Sequence, residues 1–207
     1  YHNIMVLDKD IITWSLKEKI LGYLIENKEK PRTIMQISKD LKGDYKNTFQ
    51  AVADISNLIS KEKFGNTNMI KINLKPSKEI YSVENKRIKL FLKENKKLEL
   101  IKQDVESINY PFFIVLIFGS YIKKTKTAKS DIDICIISDN LEKTKKLISL
   151  LELLPLKLEI HNFKTDEFES MLKTKEMNIG KEIVKNNVIL YGVENYYNLI
   201  SRWMKNE

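Results

Sequence analysis

Apolar residues in the N-terminal half of the chain recur with a helical period. Ile12, Leu16, Ile20 and Leu24 fall every four residues and mark one face of a first helix. Thr33-x-x-Gln36 has the form of a capping box and opens a short second helix through Ile37 and Leu41. Lys42-Gly43-Asp44 reads as a tight turn. A third helix then carries Tyr45, Phe49, Val52, Ile55 and Ile59 inward and ends at Lys63-Phe64-Gly65. Two short strand-like runs follow, Met69 to Leu74 and Glu79 to Val83, around Pro76-Ser77. From Glu84 to Asn109 the pattern is polar and helical. Phe91, Leu98 and Val105 repeat at seven, with Ile101 and Ile108 three further on. This short seam either pairs with a second copy in a homodimer or lays a stripe on a neighbouring domain. Packing is the expected use, because the seam is too short for a coiled coil.

The pattern changes near residue 110. Phe112 to Phe118 and Ile132 to Ile137 are continuous apolar runs of strand length. Leu141 to Leu154 is helical, with Leu147, Ile148 and Leu151 inward. Leu156, Leu158 and Ile160 alternate with Lys157, Glu159 and His161, which predicts a half-buried strand. Thr165 is placed to cap a helix whose first turn holds Asp166 and Glu167. Ile179 to Lys185 predicts a helix, Val188 to Tyr191 a strand, Gly192 a break and Val193 to Met204 a last helix. The fold class is therefore α+β. Residues 1–83 form a helical domain with a strand pair, 84–110 a linker helix, and 111–207 a small mixed sheet with flanking helices.

The N-terminal order is three helices, the second and third joined by a glycine turn, then a two-stranded ribbon. On Ile37-Ser38-Lys39-Asp40-Leu41 and the Asp44 to Leu58 helix, it resembles the winged helix-turn-helix family. The resemblance implies a duplex DNA partner. Lys46, Asn47 and Gln50 lie on the outer side of the third helix, where they suit phosphates and base edges. Asp44 and Asp54 are unfavourable there, and the helix has no arginine for guanine readout.

Composition narrows the field. The chain has 43% apolar residues, enough for real cores, and 31% charged residues with a net charge of +8. That excess favours polyanions, although a lysine-rich solvated surface gives the same number. The lone cysteine, Cys135, excludes an internal disulfide and a cysteine-based zinc site and fits a reducing cytosol. Between Ile134 and Ile136 it reads as a core thiol. No apolar run approaches the roughly 18 residues of a membrane span, and no signal peptide is visible, so a membrane partner is not expected.

The candidate chemistry lies between the two apolar strands. Gly119-Ser120 ends one, and Asp131-Ile132-Asp133 begins the next. Alternation points Asp131 and Asp133 to one face, where two close carboxylates repel unless a cation lies between them. A shared Mg²⁺ with oxygen ligands resolves this. Glu159, on the polar side of the next strand, can approach the same point, and three carboxylates suit two metal ions. Glycine lets backbone approach phosphate, and the N–H groups that follow, with the Ser120 hydroxyl, can bind it. Lys123, Lys124, Lys126 and Lys129 form a cationic rim for a triphosphate, and Ser130 is placed to orient Asp131 or bind phosphate. His161 faces the Glu159 side, where it is an alternative or a helper to that carboxylate; a surface histidine is the favoured reading.

Gly119-Ser120…Ser130-Asp131-Ile132-Asp133 resembles the signature of the DNA polymerase beta-like nucleotidyltransferase superfamily. The short loop between the two motifs is similar to minimal nucleotidyltransferases. The tail Gly180-x-Glu182-Ile183-x-Lys185-Asn186-x-Val188-x-Leu190-Tyr191-Gly192 looks like the end of such domains. The resemblance covers about residues 110 to 207. It implies transfer of a nucleoside monophosphate from an NTP, with ATP favoured, to an acceptor hydroxyl. Asp131, Asp133 and Glu159 would be catalytic metal ligands for Mg²⁺ or Mn²⁺, and Gly119, Ser120, Lys123 and Ser130 would hold phosphate. Many members have Asp where Glu159 stands. Members are also often paired with a HEPN-type toxin whose tyrosine they adenylylate. Two other readings remain open. One is a DNA-binding regulator whose nucleotidyltransferase-like domain senses nucleotide or mediates assembly; the other is an RNA-modifying enzyme, for which the chain is short.

Overall fold

The computed structural model describes residues 12–122 and 130–204. Ser15 and Glu18 close a capping box that starts α1 (Leu16–Glu26). Thr33 and Gln36 close the predicted one at α2 (Ile34–Asp40), and the Asp44 carboxylate caps α3 (Tyr45–Asp54). In each case a side-chain oxygen satisfies an amide that the helix cannot. An antiparallel hairpin follows, β1 (Ile59–Phe64) and β2 (Thr67–Ile72), joined by Gly65-Asn66. Arg32 bridges to Ile70, so the stretch before α2 adds a third short edge to the ribbon.

Several expectations for this half are corrected. The third helix stops at Asp54, and Ile59 begins a strand. Tyr45 and Phe49 are not inward; both are about half exposed, while Thr48, Ala51 and Val52 face the core. The hairpin lies one step earlier than expected, because Gly65, at φ +60°, with Asn66 makes the tight two-residue turn that hairpins favour. Glu79 to Val83 is helical: the Ser77 hydroxyl accepts from the Ile80 amide and caps α4 (Lys78–Glu94). Residue 84 therefore falls inside one uninterrupted helix.

A short 3-10 turn at Lys96–Leu98 leads into α5 (Glu99–Ser107). Leu98, Ile101, Val105 and Ile108 are buried on the sheet, so within the chain the seam packs against its own domain. The second sheet contains β3 (Ile114–Phe118), β4 (Ile132–Ile137), β5 (Leu158–Phe163) and β6 (Asn187–Tyr191), in the order β5-β4-β3-β6. β3 is antiparallel to β4 and β6, and β4 and β5 run parallel. Phe112 stays outside the sheet, two-thirds exposed.

Both faces of this sheet are covered. Val115, Ile117, Ile132, Ile134, Ile136, Val188 and Leu190 face α5 and α6 (Leu141–Glu152), together with Ile88 and Leu92 of α4. Ile114, Leu116, Phe118, Cys135, Ile137 and Ile189 face α7 (Thr165–Lys173), α8 (Ile179–Lys185) and α9 (Val193–Met204). This second core continues through Ile80 and Val83 of α4 into Ile20, Leu24, Ile37 and Val52 of the N-terminal helices. Cys135 is fully buried in it, and burial pushes its thiol pKa up, as a core thiol requires. Thr165 is the first residue of α7 rather than its cap; its amide and hydroxyl both donate to the Asp139 carboxylate at 2.8 Å. No helix among the described residues is long and apolar enough to cross a membrane.

Candidate functional site

The site follows from the register of the sheet. Asp133 pairs with Phe118 on one side and with Glu159 on the other, and Phe118 pairs with Asn187. Asn187, Phe118, Asp133 and Glu159 thus form one row across four strands. His161 lies two residues along β5 from Glu159, on the same face. Adjacent strands are about 4.8 Å apart, so neighbouring side chains of one row meet. One ligand atom from each of Asp133, Glu159 and His161 lies within 4.8 Å of the others. His161 Nε2 is 3.3 Å from Glu159 Oε1, and its ring tilts against Phe118 with centroids 5.5 Å apart.

Asp133 and Glu159 meet, but the third partner is not the expected Asp131. His161, expected as a surface histidine, joins the cluster and is only 24% exposed. Asp131 is not part of this grouping. It is exposed and sits one residue ahead of the ladder, which begins where the Ile132 amide donates to the Lys157 carbonyl.

Gly119 begins a single 3-10 turn, Gly119–Tyr121, at φ +72°. A Cβ there would lie 2.0 Å from Asp133 Oδ2, so the glycine is what lets the carboxylate sit against the turn. The Ser120 N–H hydrogen-bonds the Asp133 carboxylate. That amide, expected to hold phosphate, instead orients the acid. Ser120 is exposed and Ser130 half-buried. Lys123, Lys124, Lys126 and Lys129 lie outside the described residues.

Burial holds the Asp133 carboxyl above its ordinary range, and the charge of Glu159 raises it further. His161 and the Ser120 amide act in the opposite direction, and Glu182 of α8 adds to the rise. Two carboxylates and an imidazole converge where negative charge is undercompensated. That donor set fits a divalent cation.

On the N-terminal module, Lys46, Asn47 and Gln50 are all exposed. Gln50 donates to Asp54 at 2.9 Å, and Asp54 is also bridged by Lys17 at 2.8 Å, so part of the unfavourable acidic charge is neutralised locally.

Residues 96–195 match a family model described as Polymerase beta, Nucleotidyltransferase. This supports the polymerase beta-like superfamily and a nucleotidyltransferase assignment for that part of the chain. The matched region runs from the turn before α5 into α9 and contains Gly119, Asp131, Asp133, Glu159 and His161. No curated protein and no solved structure matches the chain.

Proposed function

We propose that the C-terminal half transfers a nucleoside monophosphate from an NTP to an acceptor hydroxyl, with the loss of pyrophosphate. The meeting of Asp133, Glu159 and His161 beside the Gly119 turn carries this reading. Asp133 and Glu159 would hold a divalent cation, with His161 as a third donor and Asp131 as a further candidate ahead of the strand. Bound there, the cation supplies Lewis-acid polarisation of a phosphoryl oxygen and neutralises the triphosphate. The Ser120 amide fixes the Asp133 carboxylate in one orientation, so little reorganisation is left for the moment of reaction. The exposed Ser120 hydroxyl and Ser130 flank the carboxylates as phosphate donors, with Lys123 as a further candidate from sequence. Imidazole is a softer ligand than carboxylate, so Mn²⁺ is the better fit and Mg²⁺ the harder alternative.

Pyrophosphate release from each of the four NTPs, with Mn²⁺ or Mg²⁺, tests the reaction. Release with at least one NTP, abolished by chelator, is expected; silence with all four and both metals overturns the proposal. The likeness to minimal nucleotidyltransferases extends it to a protein acceptor, the tyrosine of a HEPN-type toxin. Label from α-labelled ATP moving onto such a partner is the matching readout.

A second activity is favoured by the N-terminal surface. The outer face of α3 presents Lys46, Asn47 and Gln50 beside the exposed rings of Tyr45 and Phe49, and Phe64 is 80% exposed at the tip of the hairpin. These surfaces support a winged helix-turn-helix reading in which α3 enters the major groove and the hairpin lies along the backbone. Duplex DNA binding should weaken steeply with salt, and Lys46→Glu should lower affinity and flatten the salt dependence by about one counterion. Unchanged affinity in Lys46→Glu would remove α3 from the interface.

A further inference from the structure

A cleft of about 900 Å³ separates α1 and the turn after it from the junction of α8 and β6, with α4 as its floor. Two buried polar atoms that line it, Arg87 Nε and Asn187 Oδ1, have no hydrogen-bond partner, and a lysine on a mostly buried side chain lies beside them. Lys28, 8% exposed, makes no hydrogen bond or ion pair among the described residues. Arg87 Nε is buried without a hydrogen bond. The Glu26 carboxylate, 3.6 Å from it, is largely exposed. Asn187 Oδ1 is buried and accepts nothing, although its amide nitrogen donates to the Ile183 carbonyl and to the Tyr196 hydroxyl.

Among the described residues, the one buried carboxylate nearby is already engaged at both oxygens. Glu84 is 2% exposed and accepts from the Tyr197 hydroxyl on Oε1 and from Arg87 Nη1 on Oε2, each at 2.6 Å. Lys185, also on the cleft, is paired with Glu29 at 2.8 Å. Two buried cations therefore share one buried anion. Burial pulls the Lys28 ammonium down to about 8, with Glu84 only partly opposing this. A buried charge or polar atom without a partner is costly, and a bound ion or ligand is one of the few things that accounts for it. Glu26 and Glu94 also border the cleft, so an anion would have to seat deep, against Lys28 and Arg87.

We propose that this cleft binds a nucleoside phosphate, separately from the carboxylate site. Its phosphoryl oxygens lie on Lys28 Nζ and Arg87 Nε, and a hydroxyl or amino group donates to Asn187 Oδ1. The orphan acceptor is what a bare oxyanion would leave unsatisfied. Trp14 and Phe91, half-buried on the walls, supply faces for the base to stack on. Asn187 lies two strands from Asp133 in the same row, about 10 Å away, and Tyr121 follows Ser120 directly. Occupancy of the cleft thereby ties the N-terminal helices to the elements that frame the candidate site.

Calorimetric titration and thermal melting of the full chain test this, in EDTA and at matched ionic strength. The probes are AMP and inorganic phosphate. AMP should bind once per chain and raise the melting temperature. Lys28→Met should lower AMP affinity about tenfold or more. It should also raise the melting temperature of the ligand-free protein, because the aliphatic stem is kept and the unpaired charge removed. Lys28→Gln provides a second variant should Met pack poorly. Asp133→Asn should still bind AMP, so failure here and failure at the carboxylate site are told apart. No AMP binding, or binding indifferent to both Lys28 variants, overturns the proposal. Loss in Asp133→Asn assigns the ligand to the carboxylate site and likewise overturns it. Phosphate matching AMP in affinity refutes the nucleoside part.

Discussion

Asp133→Asn is expected to reduce metal-dependent pyrophosphate release by about a thousandfold or more, the scale at which a central electrostatic group is lost from a reaction centre. The same change should stabilise the metal-free protein. Burial and Glu159 hold the Asp133 carboxyl above its ordinary range. A group whose folded value is raised contributes its stability below the unfolded value, and that contribution is lost as pH rises through the folded value. At neutral pH the ionised acid is therefore a cost, and a neutral amide avoids it. Melting curves from pH 4 to 8 should show the variant's advantage growing as pH rises through the carboxylate range. Added Mn²⁺ should raise the melting temperature of the wild type and not of the variant. A variant that keeps full activity would remove Asp133 from the reaction centre. One that melts lower than the wild type at pH 7 without metal would contradict the electrostatic account.

Gly119→Ala should be nearly as damaging to activity by a different route. At φ +72° any L side chain carries about 1–2 kcal/mol of backbone strain. The added methyl would also overlap Asp133 Oδ2, so the carboxylate must leave the Ser120 amide. Gly65→Ala separates the two effects. Its φ is +60°, and a Cβ there meets nothing within 4 Å, so strain is its only cost. Greater thermal destabilisation of Gly119→Ala than of Gly65→Ala, with activity lost only at Gly119, is the expected result. Full pyrophosphate release by Gly119→Ala would show that the position of Asp133 against the turn is irrelevant.

Local chemistry was the legible part of the sequence. The Thr33–Gln36 capping box, β4, α8 and α9 lie where caps, apolar runs and glycine breaks place them. The hairpin was misplaced because Ile55, Leu58 and Ile59 continue a helical spacing after the helix has ended, which hides the Gly65-Asn66 turn. Tyr45 and Phe49 follow the same spacing and face outward, because periodicity locates a stripe without saying what covers it. At the site, alternation alone brought Glu159 towards Asp133. Sequence offers His161 only as an alternative or helper to Glu159, since one imidazole on a strand has no pattern of its own. Only the parallel pairing of β4 with β5 puts it among the acids. The Glu84–Arg87–Tyr197 network was equally invisible, its two ends being 113 residues apart.

Helix α4 belongs to two interiors at once: Ile80 and Val83 sit in one, Ile88 and Leu92 in the other. Severing the polypeptide at its middle would strip each half of a wall that the other half supplies. For the same reason, a tilt of this single rod cannot be private to either end; whatever seats or unseats it among the N-terminal helices also shifts the floor beneath the strands.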